Sequence, residues 1–442
     1  MVVLPEIATD SMPGPDKSQA IASATIAEGA LRRLLLALWQ RTRLDWGFVT
    51  DRLSTTFRQE RWLGSSERRF VAETLYGMVR HVRRLDEALA AGGARAGQPS
   101  DVDRLLAYLV LEGGVAIDEV ARARPGIDWR AVAAIDEQVA RIRDASRRIA
   151  LSCSLPDWIA ALLVDEHGAE AEPLARALND RAPMTVRANL LVGDAAALAE
   201  RLTRDGITTT PGRHCATALH VETRTNLFGL EAFKAGAFEA QDEGSQLLAE
   251  LVAPPPRSRV VDYCAGAGGK TLALAAAMAN RGRIVACDVD ERKLGELRRR
   301  ARRAGATTVQ AVGLDDRSDP PVPLSALAGK ADRVLVDAPC TGLGALRRNP
   351  EARWRLQPTD LARLAVEQRA IAERALAYVA PGGRLIYATC SVAAAENSAI
   401  AGALLAAHAD LELVLPKEIW GGERAAPLAN PSPRGVLPAG AC

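Results

Sequence analysis

The sequence predicts an α/β protein with a doubly wound parallel sheet, preceded by an all-helical domain and a small α+β module. Three observations carry this. From Asp242 onward, short β-branched runs alternate with longer helical stretches, the pattern of a parallel sheet covered on both faces. The first of those runs, 259–262, passes directly into a glycine-rich turn and then a helix. Before all of this, residues 25 to 150 repeat apolar side chains at three- and four-residue spacing with few strand signals.

Taken in order, residues 1–20 read as a disordered tail. The helical domain spans 21–150. Ala30, Leu31, Leu34, Leu35, Leu38 and Trp39 form one stripe, and Phe70, Leu75, Met78 and Val82 form another behind a cap at Ser65 or Ser66. Further helices are expected at 101–111 and 129–150. Arg68, Arg69, Arg80, Arg83 and Arg84 share one segment, which is either a solvated helix face or a contact to RNA. Residues 151–238 alternate strand, helix and strand at 184–189, 197–202 and 218–223, and are read as a small linking module in which nothing looks catalytic. The sheet domain spans 239–415. Its strands are expected at 259–262, 284–288, 308–312, around Val334 and around Leu385, with helices at 242–252, 271–280, 291–304 and 358–379. Residues 416–442 are expected to be a poorly ordered tail.

Composition sets limits on function. The formal net charge of +2 is too small to argue for nucleic-acid binding, which must come from local clusters. Seven cysteines, odd in number and without paired CxxC spacing, argue against a disulfide framework or a metal module and for a reducing compartment. The first residues carry acids and prolines rather than a basic segment and an apolar core, and no apolar run approaches the roughly 20 residues that span a bilayer. A cytoplasmic, monomeric protein without membrane or metal partners is expected.

Two kinds of strand end carry chemistry. VVDYCAGAGGKT, residues 260–271, is a strand, a glycine turn and a helix start, where backbone comes close to a ligand and free amide donors face it. The phosphate loop of nucleoside triphosphatases is excluded by Cys264, and the dinucleotide fingerprint fails at Thr271. A nucleoside-type pocket survives. Asp288 closes the second strand, either to accept ribose hydroxyls or to cap the helix that follows. Asp315 and Asp316 end the third strand region, as acceptors for an adenine amino group or as a plain turn. Lys270 at the helix start either neutralises acids in the pocket or is solvated. The second kind is a strand that runs directly into a thiol: DAPC, 337–340, and ATC, 388–390. Cys264 and Cys287 read as buried small hydrophobes, whereas Cys340 and Cys390, each fixed by Pro339 or Thr389 beside it, read as positioned thiols for nucleophilic work in one site.

The segments AGAGGKT, DAPCTGLG and YATCS together resemble the S-adenosylmethionine-dependent RNA (cytosine-5)-methyltransferases over residues from about 150 to 400. The helical segment GSSERRFVAETLYGMVR resembles the NusB-like domain fused to the bacterial enzymes that modify small-subunit ribosomal RNA. The resemblance implies a Rossmann-like methyltransferase sheet with S-adenosylmethionine held by Cys264, Ala265, Gly266, Ala267, Gly268, Gly269, Lys270, Asp288, Asp315 and Asp337. It also implies Cys390 as nucleophile on cytosine, Cys340 as the group that assists release, and Asp337 at the cytosine edge. The substrate it implies is 16S ribosomal RNA. Transfer RNA and an inactive RNA-binding assembly factor are the alternatives, and DNA is disfavoured by the second thiol. Arg347, Arg348, Arg353 and Trp354 just beyond the Pro-Cys loop mix charge with a stacking aromatic and are expected to contact RNA. The basic helix 291–304 is expected to be a solvated face. Two departures stand out: Ala267 replaces the family's usual proline, and the closing NPSPRGVLPAGAC replaces its usual antiparallel strand pair.

Overall fold

A computed structural model describes residues 17–94, 99–223, 226–315 and 319–426. The chain divides into two compact units, one running to Asn179 and including Asn349–Arg355, the other comprising Asp180–Arg348 and the chain from Leu356 onward. Of the expected N-terminal tail, residues 1–16 lie outside the described residues, and 17–20 already belong to the helix Lys17–Ile26.

The first unit is helical. Its central helix, Ser65–Ala91, buries Phe70, Leu75, Met78, Val82 and Leu85 among Leu35, Trp39, Leu105 and Leu109. Gly77 lets the helix Asp101–Leu111 come close: a Cβ there would stand 2.2 Å from the Tyr108 ring. The helix expected over 129–150 is broken into Trp129–Ala133, Ile135–Ala140 and Ala145–Ser152, because the Asp144 carboxylate accepts the Arg147 amide at 2.6 Å and starts a new helix. The helices Asp157–His167 and Ala171–Ala177 also belong to this unit, which therefore extends past the boundary expected at 150.

The arginines of the central helix make contacts inside the unit, Arg84 buried and Arg69 still exposed. Arg84 is buried between Glu112 (2.7 Å) and Asp136 (2.8 Å). Arg83 holds the Leu155 carbonyl and Asp157, Arg80 the Asn179 carbonyl, Arg68 the Leu63 carbonyl and Arg69 the Ser18 hydroxyl. The returning segment Asn349–Arg355 is anchored in the same way. Arg353, 0% exposed, donates through Nη1 to the carbonyls of Cys153 (3.1 Å) and Ser154 (3.2 Å) and to Asn179 Oδ1 (2.9 Å). Trp354 donates to the Val79 carbonyl at 2.7 Å and packs on Trp46. Arg353→Met is therefore expected to leave buried acceptors unpaired and cost about 3 kcal/mol, measured as a lower denaturation midpoint of the helical unit; an unchanged midpoint would contradict this anchoring.

The second unit contains two sheets. The smaller is antiparallel, in the order β2-β3-β1-β4, from β1 (Met184–Ala188), β2 (Thr209–Pro211), β3 (Ala218–Val221) and β4 (Phe238–Ala240). The helix Ala195–Arg204 covers it with Leu198 and Leu202 against Val186 and Phe238. The short β2 and β4 escaped the sequence because three residues carry too little periodicity to register. The larger sheet, wholly parallel in the order β7-β6-β5-β8-β9, comprises β5 (Arg259–Asp262), β6 (Arg283–Asp288), β7 (Val309–Gly313), β8 (Ala331–Asp337) and β9 (Val379–Ala388). Both faces are dry. Val261, Val285, Val334 and Val336 meet Ile371 and Ala375 of the helix Pro358–Leu376, while Val260, Ile284 and Leu335 meet Leu272 and Leu274 of the helix Gly269–Ala277. Strand order reverses between β5 and β8, and a parallel sheet binds ligands outside the carboxyl ends at such a point.

No strand follows β9 among the described residues. The chain continues through the helix Ser398–Ala407 to short helices at Pro416–Trp420 and Gly422–Ala425. This corrects the tail expected from 416: Trp420 packs on Cys215, Ala218 and Leu247, and Arg424 pairs with Glu250. Residues 427–442 lie outside the described residues.

Candidate active site

Strand register builds the site. In the β8–β9 pair Asp337 stands opposite Ala388, and the Ala338 amide extends the ladder to the Ala388 carbonyl at 2.9 Å. The two chains therefore leave the sheet level with each other. Cys340, three residues beyond Asp337, and Cys390, two beyond Ala388, bring their sulfurs within 3.3 Å. At that distance the S–H of one thiol can donate to the other sulfur. The contact pushes the Cys340 thiol up, helped by burial, and holds the Cys390 thiol below its ordinary value against the opposing effect of burial. Either sulfur can donate across this contact, and the exposed Cys390 is the one that gives up its proton more readily.

Beside them, Lys270 in the first turn of its helix donates to Asp337 Oδ2 at 2.6 Å. Burial pulls the ammonium down, but the Asp337 charge and hydrogen bond outweigh it and raise its proton affinity. The solvated reading of Lys270 is thereby excluded. Asp262, at the end of β5, is buried; its Oδ2 accepts the Thr271 hydroxyl at 2.6 Å and its Oδ1 has no partner among the described residues. Burial pushes this carboxyl up to about 7.

The glycine turn lies at the switch point. Ala265 donates to the Cys287 carbonyl, Gly268 donates to the Ala265 carbonyl, and the Gly266 amide donates to Asp288 Oδ2 at 2.8 Å. Gly266 has φ +54°, and no atom lies within 4 Å of where its Cβ would stand, so the turn faces open space. Asp288 Oδ1 accepts the Asp290 amide, and Asp290, not Asp288, caps the helix Glu291–Ala304. Each Asp288 oxygen keeps acceptor capacity for a hydroxyl. A turn with open space above it and a carboxylate at the second strand end fit a nucleoside with free ribose hydroxyls. Asp315 lies two residues past β7 on the same edge of the sheet, and Asp316 lies outside the described residues. Cys287 is buried inside β6, as the sequence reading has it, while Cys264 is half-buried in the turn, where burial raises its thiol.

The chain is similar to several known proteins. The family described as 16S rRNA methyltransferase RsmB/F matches residues 249–427, and the Methyltr_RsmF/B-like, ferredoxin-like domain matches residues 155–227. A probable ribosomal RNA small subunit methyltransferase B of Synechocystis is 31% identical over 80% of this chain and 84% of its own length. The chain belongs to the 16S rRNA methyltransferase RsmB/F family. The corresponding protein of Bacillus subtilis is 32% identical over 67% of this chain, and that of Vibrio cholerae 34% identical over 59%. The matched regions span 66% and 58% of those two relatives. Among solved structures, PH0851 superposes with a TM-score of 0.68 at 23% identity over 90% of each chain, which supports the fold. A methyltransferase homologue from Pyrococcus horikoshii gives 0.53 at 26% identity over 60% of this chain and 83% of its own.

For this RsmB/F chain the expected RNA-contacting cluster after the Pro-Cys loop is corrected at Arg353 and Trp354. Arg353 and Trp354 are internal to the helical unit, as described above. Arg348 pairs with Asp242 at 2.7 Å and donates to the Pro183 carbonyl, and Arg347 faces the same carboxylate at 3.7 Å. The sequence shows a basic run but not the acid, far away in the chain, that neutralises it.

Another group escaped sequence reading. Glu396, 0% exposed, accepts the Thr341 amide at 2.8 Å and the Thr341 hydroxyl, and Gln368 donates both to it and to the Pro339 carbonyl, each at 2.9 Å. Asn397 accepts the Thr389 hydroxyl at 2.7 Å and donates to the Ser391 carbonyl. Both thiol loops are thus held by one buried polar network. Its only sequence signal is the polar pair 396–397 inside an alanine-rich run.

The buried Asp262 gives a pH signature. Its proton is held more tightly in the folded protein than in the unfolded chain, so the unfolded chain binds fewer protons between the ordinary carboxyl range and about 7. Relative to Asp262→Asn, stability is expected to fall as pH rises from about 4 to 7 and to level off above that, followed by denaturation across pH; parallel curves for the two proteins would contradict this.

Proposed function

We propose that this protein transfers a methyl group from S-adenosylmethionine to carbon 5 of a cytosine in 16S ribosomal RNA, in the cytoplasm, through a covalent bond between Cys390 and carbon 6. The observation that carries the reading is the 3.3 Å contact between the two strand-end sulfurs in a chain of the RsmB/F family.

Carbon 5 of cytosine is a weak nucleophile, and addition of a thiolate at carbon 6 turns the ring into an enamine that is a strong one. Cys390, exposed and with a lowered thiol, forms the sulfur–carbon bond. Bound S-adenosylmethionine supplies an electrophilic methyl group; Gly266 to Lys270 and Asp288 would hold it, with Cys264, Ala265 and Asp315 alongside. Asp337, one oxygen engaged by Lys270, would present the other to the base edge and favour the enamine. Water takes the carbon 5 proton, the C–H electron pair re-forms the ring double bond, and the sulfur–carbon bond breaks to release Cys390 as thiolate. Cys340, the thiol that keeps its proton, stabilises the departing Cys390 thiolate by the hydrogen bond it makes in the resting site. A cytosine must leave its stack to reach Cys390, which favours loop or opened RNA over duplex.

The test is methyl transfer from labelled S-adenosylmethionine to unmodified 16S ribosomal RNA, transfer RNA and DNA in parallel, with base analysis. 5-Methylcytosine in 16S ribosomal RNA alone is expected. Cys390→Ala should abolish transfer, and Cys340→Ala should accumulate a protein–RNA adduct visible on denaturing gels. Label in transfer RNA alone would move the substrate assignment, and a Cys340→Ala protein that turns over normally would contradict the assigned roles.

A further inference from the structure

The glycine turn is not held by the parallel sheet alone. The peptide between Ala267 and Gly268 is fixed at both ends: the Gly268 amide donates to the Ala265 carbonyl at 2.9 Å, and the Ala267 carbonyl accepts Arg300 Nη1 at 2.7 Å. Arg300 lies on the helix Glu291–Ala304, expected from sequence to present a solvated basic face. It is instead turned inward and largely buried.

What orients Arg300 comes from the small antiparallel sheet. Glu239 on β4, 3% exposed, accepts Arg300 Nη2 at 3.0 Å and Nε at 3.2 Å through Oε2, while its Oε1 accepts Arg303. Two arginines therefore share one buried carboxylate, but only one of them reaches the turn. The sheet and helix are in close contact around this pair. Asn189, just after β1, donates to the Gly236 and Ala304 carbonyls at 2.8 Å, and a Cβ on Gly236 would stand 2.0 Å from the Arg303 carbonyl oxygen. Arg303 itself lies over the Phe233 ring at 3.9 Å. Glu239 thus receives charge on both oxygens in a setting where little solvent screens it.

We propose that Arg300, oriented by Glu239, is a positioning residue for the cofactor turn, so that the small module sets the geometry in which S-adenosylmethionine is bound. This rests on the reading of the turn as the cofactor's seat. A carbonyl and the amide of the same peptide point in opposite directions, so fixing the Ala267 oxygen fixes the plane that leads into the helix start at Gly269 and Lys270. Without Arg300 the turn keeps its tie at Asp288 but gains freedom at the next peptide, and binding must then order it.

Arg303 supplies the control, since it shares Glu239 but makes no contact with the turn. Arg300→Met should weaken S-adenosylmethionine about ten-fold by calorimetry, whereas Arg303→Met, with a comparable loss of thermal stability, should stay within about two-fold of the unmodified protein. Glu239→Gln, which keeps an acceptor but loses the charge, should fall between them. In the absence of cofactor, amide exchange at Gly268 should speed up in Arg300→Met and not in Arg303→Met. Equal weakening by the two arginine variants, or unchanged affinity and exchange in Arg300→Met, would overturn the proposal. Failure of the unmodified protein to bind S-adenosylmethionine would instead overturn the reading of the turn; slow Gly268 exchange that depends on Arg300 would still stand as the positioning effect.

Discussion

The pairing of β8 with β9 is the constraint on which the rest of the site depends. Because Asp337 and Ala388 stand opposite each other in a parallel ladder, two loops distant in sequence start from one level and their sulfurs come within hydrogen-bonding distance. Slipping this pairing by one residue would exchange the faces of β9 and take Cys390 away from Cys340. The register is fixed by burial: Val334 and Val336 face one core and Leu335 and Ile386 the other. Hydrophobic packing thus sets the position of a reactive group that is itself polar and exposed.

The loops add a second constraint. Beyond the ladder there is no strand partner, and the chain near Cys340 and Cys390 is held by Glu396, Gln368, Thr341 and Asn397. These groups touch each other and backbone, and their burial makes each hydrogen bond matter, since an unpaired partner there would pay the full desolvation cost. The acids and Lys270 near the switch point follow a different logic. One ammonium serves Asp337 directly, while burial holds the proton of Asp262 well above the ordinary carboxyl range, which keeps the number of buried charges small below about pH 7.

Much of this was legible in the sequence for physical reasons. The strands of the parallel sheet are buried on both faces, so they read as short continuous apolar runs, and the sequence places 259–262 and the helix 291–304 where the structure has them. The thiols were legible because each follows its strand within three residues. Side-chain partners were not. Arg84, Arg300, Arg348 and Arg353 look alike in a sequence, yet each meets acceptors brought together only by tertiary folding. A basic residue advertises its charge but not its neutralising partner, which is why Arg300 read as solvated and Arg353 as RNA-contacting when both are drawn inward. Small strands such as β2 and β4 failed for another, too few residues to show a period.

The most direct measurement is peptide mapping after incubation of the protein and S-adenosylmethionine with RNA in which cytosine is replaced by 5-fluorocytosine. Fluorine cannot leave carbon 5 as a proton does, so an adduct at carbon 6 cannot resolve. The account predicts RNA attached to the peptide containing Cys390. Attachment at Cys340, or methylated base with no covalent attachment to either thiol, would contradict it.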